Sequence, residues 1–484
     1  MDELRKKTVT GSFWTLLERF GYLGIQFISN LVLARLLMPS DFGTIGILII
    51  FTTLSYVLID SGLSSALIQK KEISEEDKST VFFTNLALAI LVYVILFFTA
   101  PLIASYFHNP DIKNLLRVIE LIVVIDAFSA IQSTVLSREM NFKALSLYKI
   151  ISIVVAVTVS IALAYAGMGV WALVVQYILF SVCRALLLWT RTKWRPGFVF
   201  SKISFKALFG YGSKLLLSRF IAELYNQFQS ILIGRHFTAK DLGYYTQARQ
   251  LEQIPVESLS RVVNNVSFPA YSKLQDDKKQ LKAMVRQNLL ILVFVNTPLM
   301  FYLSTVAKPL IVFLYSDKWI ESIPYFQFLC LGFGLLLIVH DCSLTALKAV
   351  GRTDYVLKLE IIKKILGVIL LVTGMHFFGI WGIMYALAVN SFLELFLNGF
   401  CLKKEINYGP WDQIKDLLPP VVLSLIASFA TYMFLSYVPI TSNFLNIIIS
   451  FVIFASLYFL GAYLIKLESL NMAKKVVMGM IRKK

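Results

Sequence analysis

Charge is scarce in this 484-residue chain: only 15% of its residues are Asp, Glu, Lys or Arg, where a soluble globular protein carries about 25%. There is no Gly/Ser tether, no low-complexity stretch and no long polar loop, which argues against a separate soluble domain. Histidine and cysteine are rare as well, with four of each. Cys183, Cys330, Cys342 and Cys401 all fall within apolar segments, with neither metal-ligand spacing nor a disulfide framework. They read as small hydrophobes in a core or against lipid, and no metal or cofactor is expected. Basic residues interleaved with aromatics, the pattern that holds single-stranded nucleic acid, are missing too. The net charge of +17 therefore has another source, and no nucleic-acid partner is expected.

What fills the chain is apolar: 57% hydrophobic and 14% aromatic residues, gathered in successive runs about 20 residues long. The runs do not alternate apolar with polar, as barrel strands would, so helices are left as the way to satisfy the backbone in lipid. The expectation is an all-α polytopic membrane protein with about fourteen transmembrane helices. They lie near 12–37, 42–68, 80–104, 115–136, 146–166, 169–190, 208–233, 242–268, 286–306, 324–346, 358–378, 379–401, 415–437 and 443–465. The N-terminus, the even-numbered loops and the C-terminal tail, counted with the span ends that border them, hold 33 Lys and Arg, and the odd-numbered loops, counted the same way, 6. Basic residues collect on the cytoplasmic side, so both termini are placed there, and the number of spans is even. Arg5, Lys6 and Lys7 precede an apolar run that is too long for a signal h-region and contains Glu18 and Arg19. It is read as a retained helix.

That first helix sets the pattern for the rest. Ser12, Thr15, Arg19, Tyr22, Gln26 and Ser29 recur at steps of three or four and share one face of an otherwise apolar span. The design returns 200 positions later, where Leu16, Leu17, Arg19 and Phe20 match Leu216, Leu217, Arg219 and Phe220, and Arg35, Asp41 and Gly43 match Arg235, Asp241 and Gly243. Pro101-Leu102-Ile103 then matches Pro309-Leu310-Ile311, and Gly169-Val170-Trp171 matches Gly379-Ile380-Trp381. Offsets that grow slowly mark a duplication. Two parallel six-helix repeats are expected, at 1–200 and 201–405, followed by two additional spans and a basic tail at 406–484.

Several stretches also carry a family resemblance. Ala34-Arg35-Leu36-Leu37-Met38-Pro39-Ser40-Asp41-Phe42-Gly43, Arg138-Glu139-Met140-Asn141-Phe142-Lys143, Gly169-Val170-Trp171-Ala172-Leu173, Lys193-Trp194-Arg195-Pro196 and Leu242-Gly243-Tyr244-Tyr245 resemble the polysaccharide flippases of the multidrug/oligosaccharidyl-lipid/polysaccharide exporter superfamily. The similarity leans toward the lipopolysaccharide/colanic-acid exporter branch and runs over nearly the whole chain. It implies export of an undecaprenyl-diphosphate-linked oligosaccharide across a bacterial inner membrane by alternating access, driven by an ion gradient. It also implies polysaccharide polymerase and glycosyltransferases as partners and a monomeric transporter among membrane lipids.

Such a substrate needs cations for its diphosphate, for which arginine is suited by its two-pronged guanidinium, and a hydroxyl- and amide-rich wall for its sugars. Arg19, Arg219, Arg249, Arg261 and Lys214 are the expected cationic groups of a cavity, and Gln26, Ser29, Asn226, Ser230, Gln253 and Asn264 its polar lining. Arg19 and Arg219, one per repeat, would put positive charge on both sides of it. Glu18, Glu223 and Asp126 are the candidates for ion coupling. The plainer alternative is that these charges pair off inside the helices, although intramembrane charge is costly enough to suggest function. Arg117 and Glu120 are expected to pair at i, i+3. His340 is read as a hydrogen-bonded core histidine, Glu360 as a partner of Lys363 and Lys364, and Glu394 has no evident partner. Asp41 and Asp241 are read as helix caps, and Gly43 and Gly243 as points of close helix approach.

Two other functions remain open at this stage. A drug/cation antiporter of the same superfamily would need carboxylates, not arginines, in its cavity. An integral membrane glycan transferase or polymerase would need a sizeable outer loop bearing catalytic carboxylates, and the outer loops here are short.

Overall fold

The structure, a computed structural model, describes residues 2–60, 63, 67, 70, 73–262, 267–438, 440–472 and 474. The side chains of residues 2–13, 16, 60, 207–215, 218, 262 and 353 lie outside the description. The described residues are helical, without strands. In order the helices are α1 (Asp2–Leu36), α2 (Pro39–Asp60), α3 (Glu75–Tyr106), α4 (Ile112–Ile119), α5 (Leu121–Arg138), α6 (Phe142–Tyr165), α7 (Val170–Arg191), α8 (Lys202–His236), α9 (Ala239–Val262), α10 (Phe268–Ser272), α11 (Lys278–Thr305), α12 (Ala307–Tyr315), α13 (Ile323–Leu329), α14 (Leu335–Ala349), α15 (Thr353–Ile406), α16 (Pro410–Tyr437) and α17 (Asn443–Leu464). A π-helical turn, Cys330–Gly334, joins α13 to α14.

Among the described residues nine helical stretches are long and apolar enough to cross a membrane. The longest, 53 residues, is broken at Gly379. Helices α1, α8 and α9, which carry the charged and amide stripes, are not among the nine. Large apolar side chains such as Phe98 and Leu102 of α3 and Phe459 and Leu460 of α17 stand exposed on the helix faces, as a lipid-facing surface requires.

The chain forms two compact units, Met1–Gly243 and Tyr244–Lys484. In the first, α6 packs along both α1 and α7, α5 along α3 and α7, and α2 along α8. Two of its turns carry glycines that match in sequence, Gly43 and Gly243. A Cβ on Gly43 would lie 1.6 Å from the carbonyl oxygen of Ala239, and one on Gly243 1.9 Å from that of Pro39. The two repeat-related glycines therefore let α2 and the first turn of α9 interlock, the close approach expected of them. Asp41 and Asp241 act at the same joints, but as first-turn residues, third in their helices, that reach back, not as the caps themselves. Asp41 Oδ2 accepts from the Met38 amide at 2.9 Å. Asp241 Oδ2 accepts from the Thr238 amide at 3.1 Å while the Thr238 hydroxyl accepts from the Asp241 amide at 3.1 Å, a capping box.

A second repeat-related pair is conformational. Gly169 has φ 53° and ψ −134°, and Gly379 has φ 59° and ψ −138°. Both sit in a region closed to residues with a Cβ, each just before a tryptophan that opens the next span. The matching sequences thus build the same turn.

In the second unit α14 packs on α15, and α11 on α14 and α16. The two additional spans fasten onto α11 through aromatics: the Tyr302 hydroxyl donates to the Ile447 carbonyl at 2.7 Å and that of Tyr458 to the Phe294 carbonyl at 3.2 Å. Phe294, Phe301, Tyr302, Phe454 and Tyr458 form one buried cluster. Arg286 of α11 adds a polar clamp, donating to Asp416 of α16 and to Glu468 beyond α17 at 2.7–3.1 Å.

Candidate functional site

In the first unit, only part of the α1 stripe is free to line a cavity. Ser29 is buried and accepts from the Gln176 amide of α7 at 3.3 Å. Tyr22 packs on Phe180 and lies under the Lys149 ammonium, 4.4 Å from its ring centroid. These two residues attach α1 to α6 and α7. Arg19 and Gln26 are half-buried. Glu18, beside Arg19 in sequence, bonds instead to Lys149 of α6 at 2.8 Å and accepts from the Ser146 hydroxyl at 3.3 Å.

Asp126 of α5 is also partnered. Its carboxylate accepts a hydrogen bond from the Tyr56 hydroxyl of α2 and forms an ion pair with Arg184 of α7 at 3.2 Å. Glu18, Lys149, Arg184, Ser133, Ser137 and Tyr148 line a half-open cavity of about 210 Å³ inside this unit. Two of its groups escaped the sequence reading. Lys149 lies within the span expected at 146–166 and stands in the second turn of α6. Arg184 was passed over although it lies inside an apolar run, the signal that singled out Arg19. The cavity holds cations on two helices, each bonded to a carboxylate and each only about a third exposed. An incoming phosphate oxygen would replace a carboxylate oxygen on Lys149 or Arg184, an exchange between like partners.

Glu120 corrects another expectation. It does not pair with Arg117, whose Nε donates to the Phe97 carbonyl at 3.1 Å and whose guanidinium lies 4.2 Å from the Phe97 ring centroid. The chain breaks between α4 and α5 at Glu120, which turns its side chain inward, where the Thr52 hydroxyl donates to Oε1 at 3.0 Å.

At the end of the first unit, α8 carries Arg219 and Asn226, both exposed, with Ser230 half-buried. Glu223 accepts from the Gln227 amide at 2.8 Å. The side chain of Lys214 and all of Asn264 lie outside the described residues.

In the second unit, Arg249 of α9 donates to Glu252 at 2.9 Å and lies 4.0 Å from the Phe333 ring centroid. Phe333 belongs to the π-helical turn, and such turns favour functional places. Glu252 is fully buried and presses on Gly334 of that turn, whose carbonyl accepts from the Asn296 amide at 3.0 Å. Arg261 joins Glu257 at 3.0 Å on an exposed face, and Gln253, about two turns earlier on α9, is half-buried. Gln247 is buried. His340 is buried with neither ring nitrogen hydrogen-bonded, contrary to expectation. Glu394 accepts from the Asn390 amide at 2.8 Å, and Lys363 bonds Glu360 at 2.7 Å as expected.

A helical chain that crosses the membrane many times, with arginines and carboxylates on helices packed among its apolar spans, is a membrane transporter in architecture. The fold is that of a lipid II flippase, MurJ, in an inward closed conformation: TM-score 0.71 over 94% of this chain and 98% of that one, at 17% identity. An inward-facing multidrug resistance transporter of the MATE family in the MOP superfamily also shares it, at TM-score 0.60, 16% identity, and 80% and 94% coverage. The family model described as polysaccharide biosynthesis protein matches residues 32–324, and the chain belongs to that family. Among its relatives are the lipopolysaccharide biosynthesis protein WzxC of Escherichia coli K12, 26% identical over 89% of this chain and 88% of that protein. Another is the succinoglycan biosynthesis transport protein ExoT of Rhizobium meliloti, 27% identical over 72% and 70%.

Proposed function

We propose that this protein flips a lipid-diphosphate-linked oligosaccharide, the repeat unit of a surface polysaccharide, from the inner to the outer leaflet of a bacterial inner membrane by alternating access. The observation that carries the reading is cationic: Arg19, Arg184 and Arg249 all stand half-buried on helices of a membrane-transporter fold, where only a substrate or a fixed carboxylate compensates them. Family membership and the names of WzxC and ExoT support polysaccharide intermediates as the cargo. Undecaprenyl diphosphate as the carrier, both termini in the cytoplasm, an ion gradient as the driving force, a monomeric state, and a polymerase and glycosyltransferases acting before and after it complete the proposal. So does the division into repeats at 1–200 and 201–405 with an appended pair of spans.

Lys149 and Arg184 are neutralised by neighbours at rest, so they take a diphosphate only by exchanging Glu18 or Asp126 for it. Arg19, half-buried on α1, and Arg219, exposed on α8, are assigned to capture by their place on the polar stripes. The test is a strain lacking this protein: it should accumulate the completed lipid-linked repeat unit on the inner leaflet and lose surface polysaccharide. Normal surface polysaccharide in that strain, with no accumulated intermediate, overturns the reading.

A further inference from the structure

The three carboxylates expected to answer an ion gradient, Glu18, Glu223 and Asp126, all have partners in the structure: Lys149, Gln227, and Arg184 with Tyr56. A fourth carboxylate stands apart. Among the described residues three carboxylates are fully buried, namely Asp77, Glu120 and Glu252. Asp77 holds Lys70 at 2.6 Å and Glu252 holds Arg249 at 2.9 Å. Glu120, 1% exposed, forms no ion pair among the described residues, and its Oε2 has no hydrogen-bond partner among them.

Its position is deep. The Thr52 hydroxyl that donates to Oε1 lies 13 residues into α2, a helix of 22 residues, which is about 20 Å along it at 1.5 Å per residue. The charges on the surrounding elements are engaged or remote. On α4, Arg117 is turned to Phe97 and Lys113 lies at the opposite end of the helix from Glu120. On α5, Asp126 is taken by Arg184 of α7 and Tyr56 of α2, and Arg138 bonds backbone carbonyls at the far end. The charged residues of α3, Glu75, Glu76, Asp77 and Lys78, are in its first two turns, with Tyr93 the titratable group nearer mid-span. On α6 they are Lys143 and Lys149, with Tyr148, in the first two turns; α7 adds Tyr177, Cys183 and Arg191. A carboxylate at this depth without a counter-ion is far costlier than its neutral acid.

We propose that Glu120 is a proton-binding site of the transport cycle. Resting on the transport reading above, the inference is that Oε2 carries the proton in the conformation described here. In the other conformation the O–H bond breaks, its electron pair stays on the carboxylate and the proton passes to water. The way out is marked by polar groups. Tyr56 follows Thr52 by one turn on α2, Asp126 follows Glu120 by six residues on α5, and their partner Arg184 lines the half-open cavity.

The full-length protein in lipid vesicles tests this by infrared spectroscopy. Wild type should show the carbonyl stretch of a neutral carboxyl that shifts in heavy water, and the Glu120→Gln protein should lack it. Identical spectra overturn the proposal. If Glu120→Gln fails to reach the membrane, Thr52→Val replaces it. Loss of the donated hydrogen bond should raise the frequency of that band, and an unmoved band again overturns the proposal. Movement of lipid-linked oligosaccharide in the same vesicles separates the two claims. A pH gradient should drive it in wild type but not in Glu120→Gln. Equal response of both proteins, or a response to a sodium gradient alone, refutes the proton site. If wild type moves no such substrate under any gradient, the flippase reading fails, and the infrared result still decides the proton site.

Discussion

Arg184 shows how the structure redistributes what the residues suggested. It is an arginine on an apolar span, bonded to Asp126, which in turn is held by Tyr56. Replacing it with alanine leaves Asp126, 12% exposed, without a cation. We expect a loss of about 3 kcal/mol in unfolding free energy, at the low end for breaking a buried pair. Arg184→Ala combined with Asp126→Asn should cost less than the sum of the two single changes, by about 1–3 kcal/mol, measured by denaturation of the purified protein in detergent. Simple additivity would mean that the pair is not coupled. The sequence held the signal for Arg184 and for Arg19 alike, since both interrupt apolar runs. Which carboxylate meets which cation was not legible, because Glu18 and Lys149 lie 131 residues apart, and only packing of α1 on α6 joins them. Glu120 was misread for a related reason. Helical spacing favoured Arg117, but Arg117 turns to the carbonyl and ring of Phe97 on α3 while Glu120 turns to Thr52 on α2, contacts that only packing supplies.

Helices and their joints were the more legible level. Runs of apolar residues placed the long spans, and Gly-Val-Trp and Gly-Ile-Trp, which match in sequence, have the same backbone angles at Gly169 and Gly379. Gly169→Ala and Gly379→Ala should each destabilise the protein by about 1–3 kcal/mol through backbone strain, seen as lower thermal midpoints in detergent; unchanged midpoints would show that the turn is not required. Gly43→Leu should be worse than either. Its side chain would begin 1.6 Å from a carbonyl oxygen of α9, so α2 and α9 must separate, and we expect little mature protein in the membrane by immunoblot. Polar stripes were legible as stripes, but not as faces. Ser29 and Tyr22 share helical spacing with Arg19, yet they serve packing against α6 and α7. A polar side chain that bonds a neighbouring helix and one that meets water look alike in a periodic pattern.

At the scale of the whole molecule, each unit has its own core, and the additional spans α16 and α17 belong to the second. Their attachment by Arg286 to both Asp416 and Glu468 ties α11 to α16 and to the segment after α17. Arg286→Ala should lower stability by about 1–2 kcal/mol, reduced from the value of a buried pair by its exposure, with a larger effect at low salt than at high salt. Equal loss at both would mean that packing of the side chain, not its charge, is what counts. The central claim of the account is that cations on the polar stripes capture the diphosphate of a lipid-linked oligosaccharide. The measurement that addresses it most directly is surface polysaccharide, together with the lipid-linked intermediate retained inside, in cells whose only copy of the protein is Arg19→Ala/Arg219→Ala at normal membrane abundance. The account predicts loss of the surface polymer and accumulation of the intermediate. Full export by the double variant would contradict it.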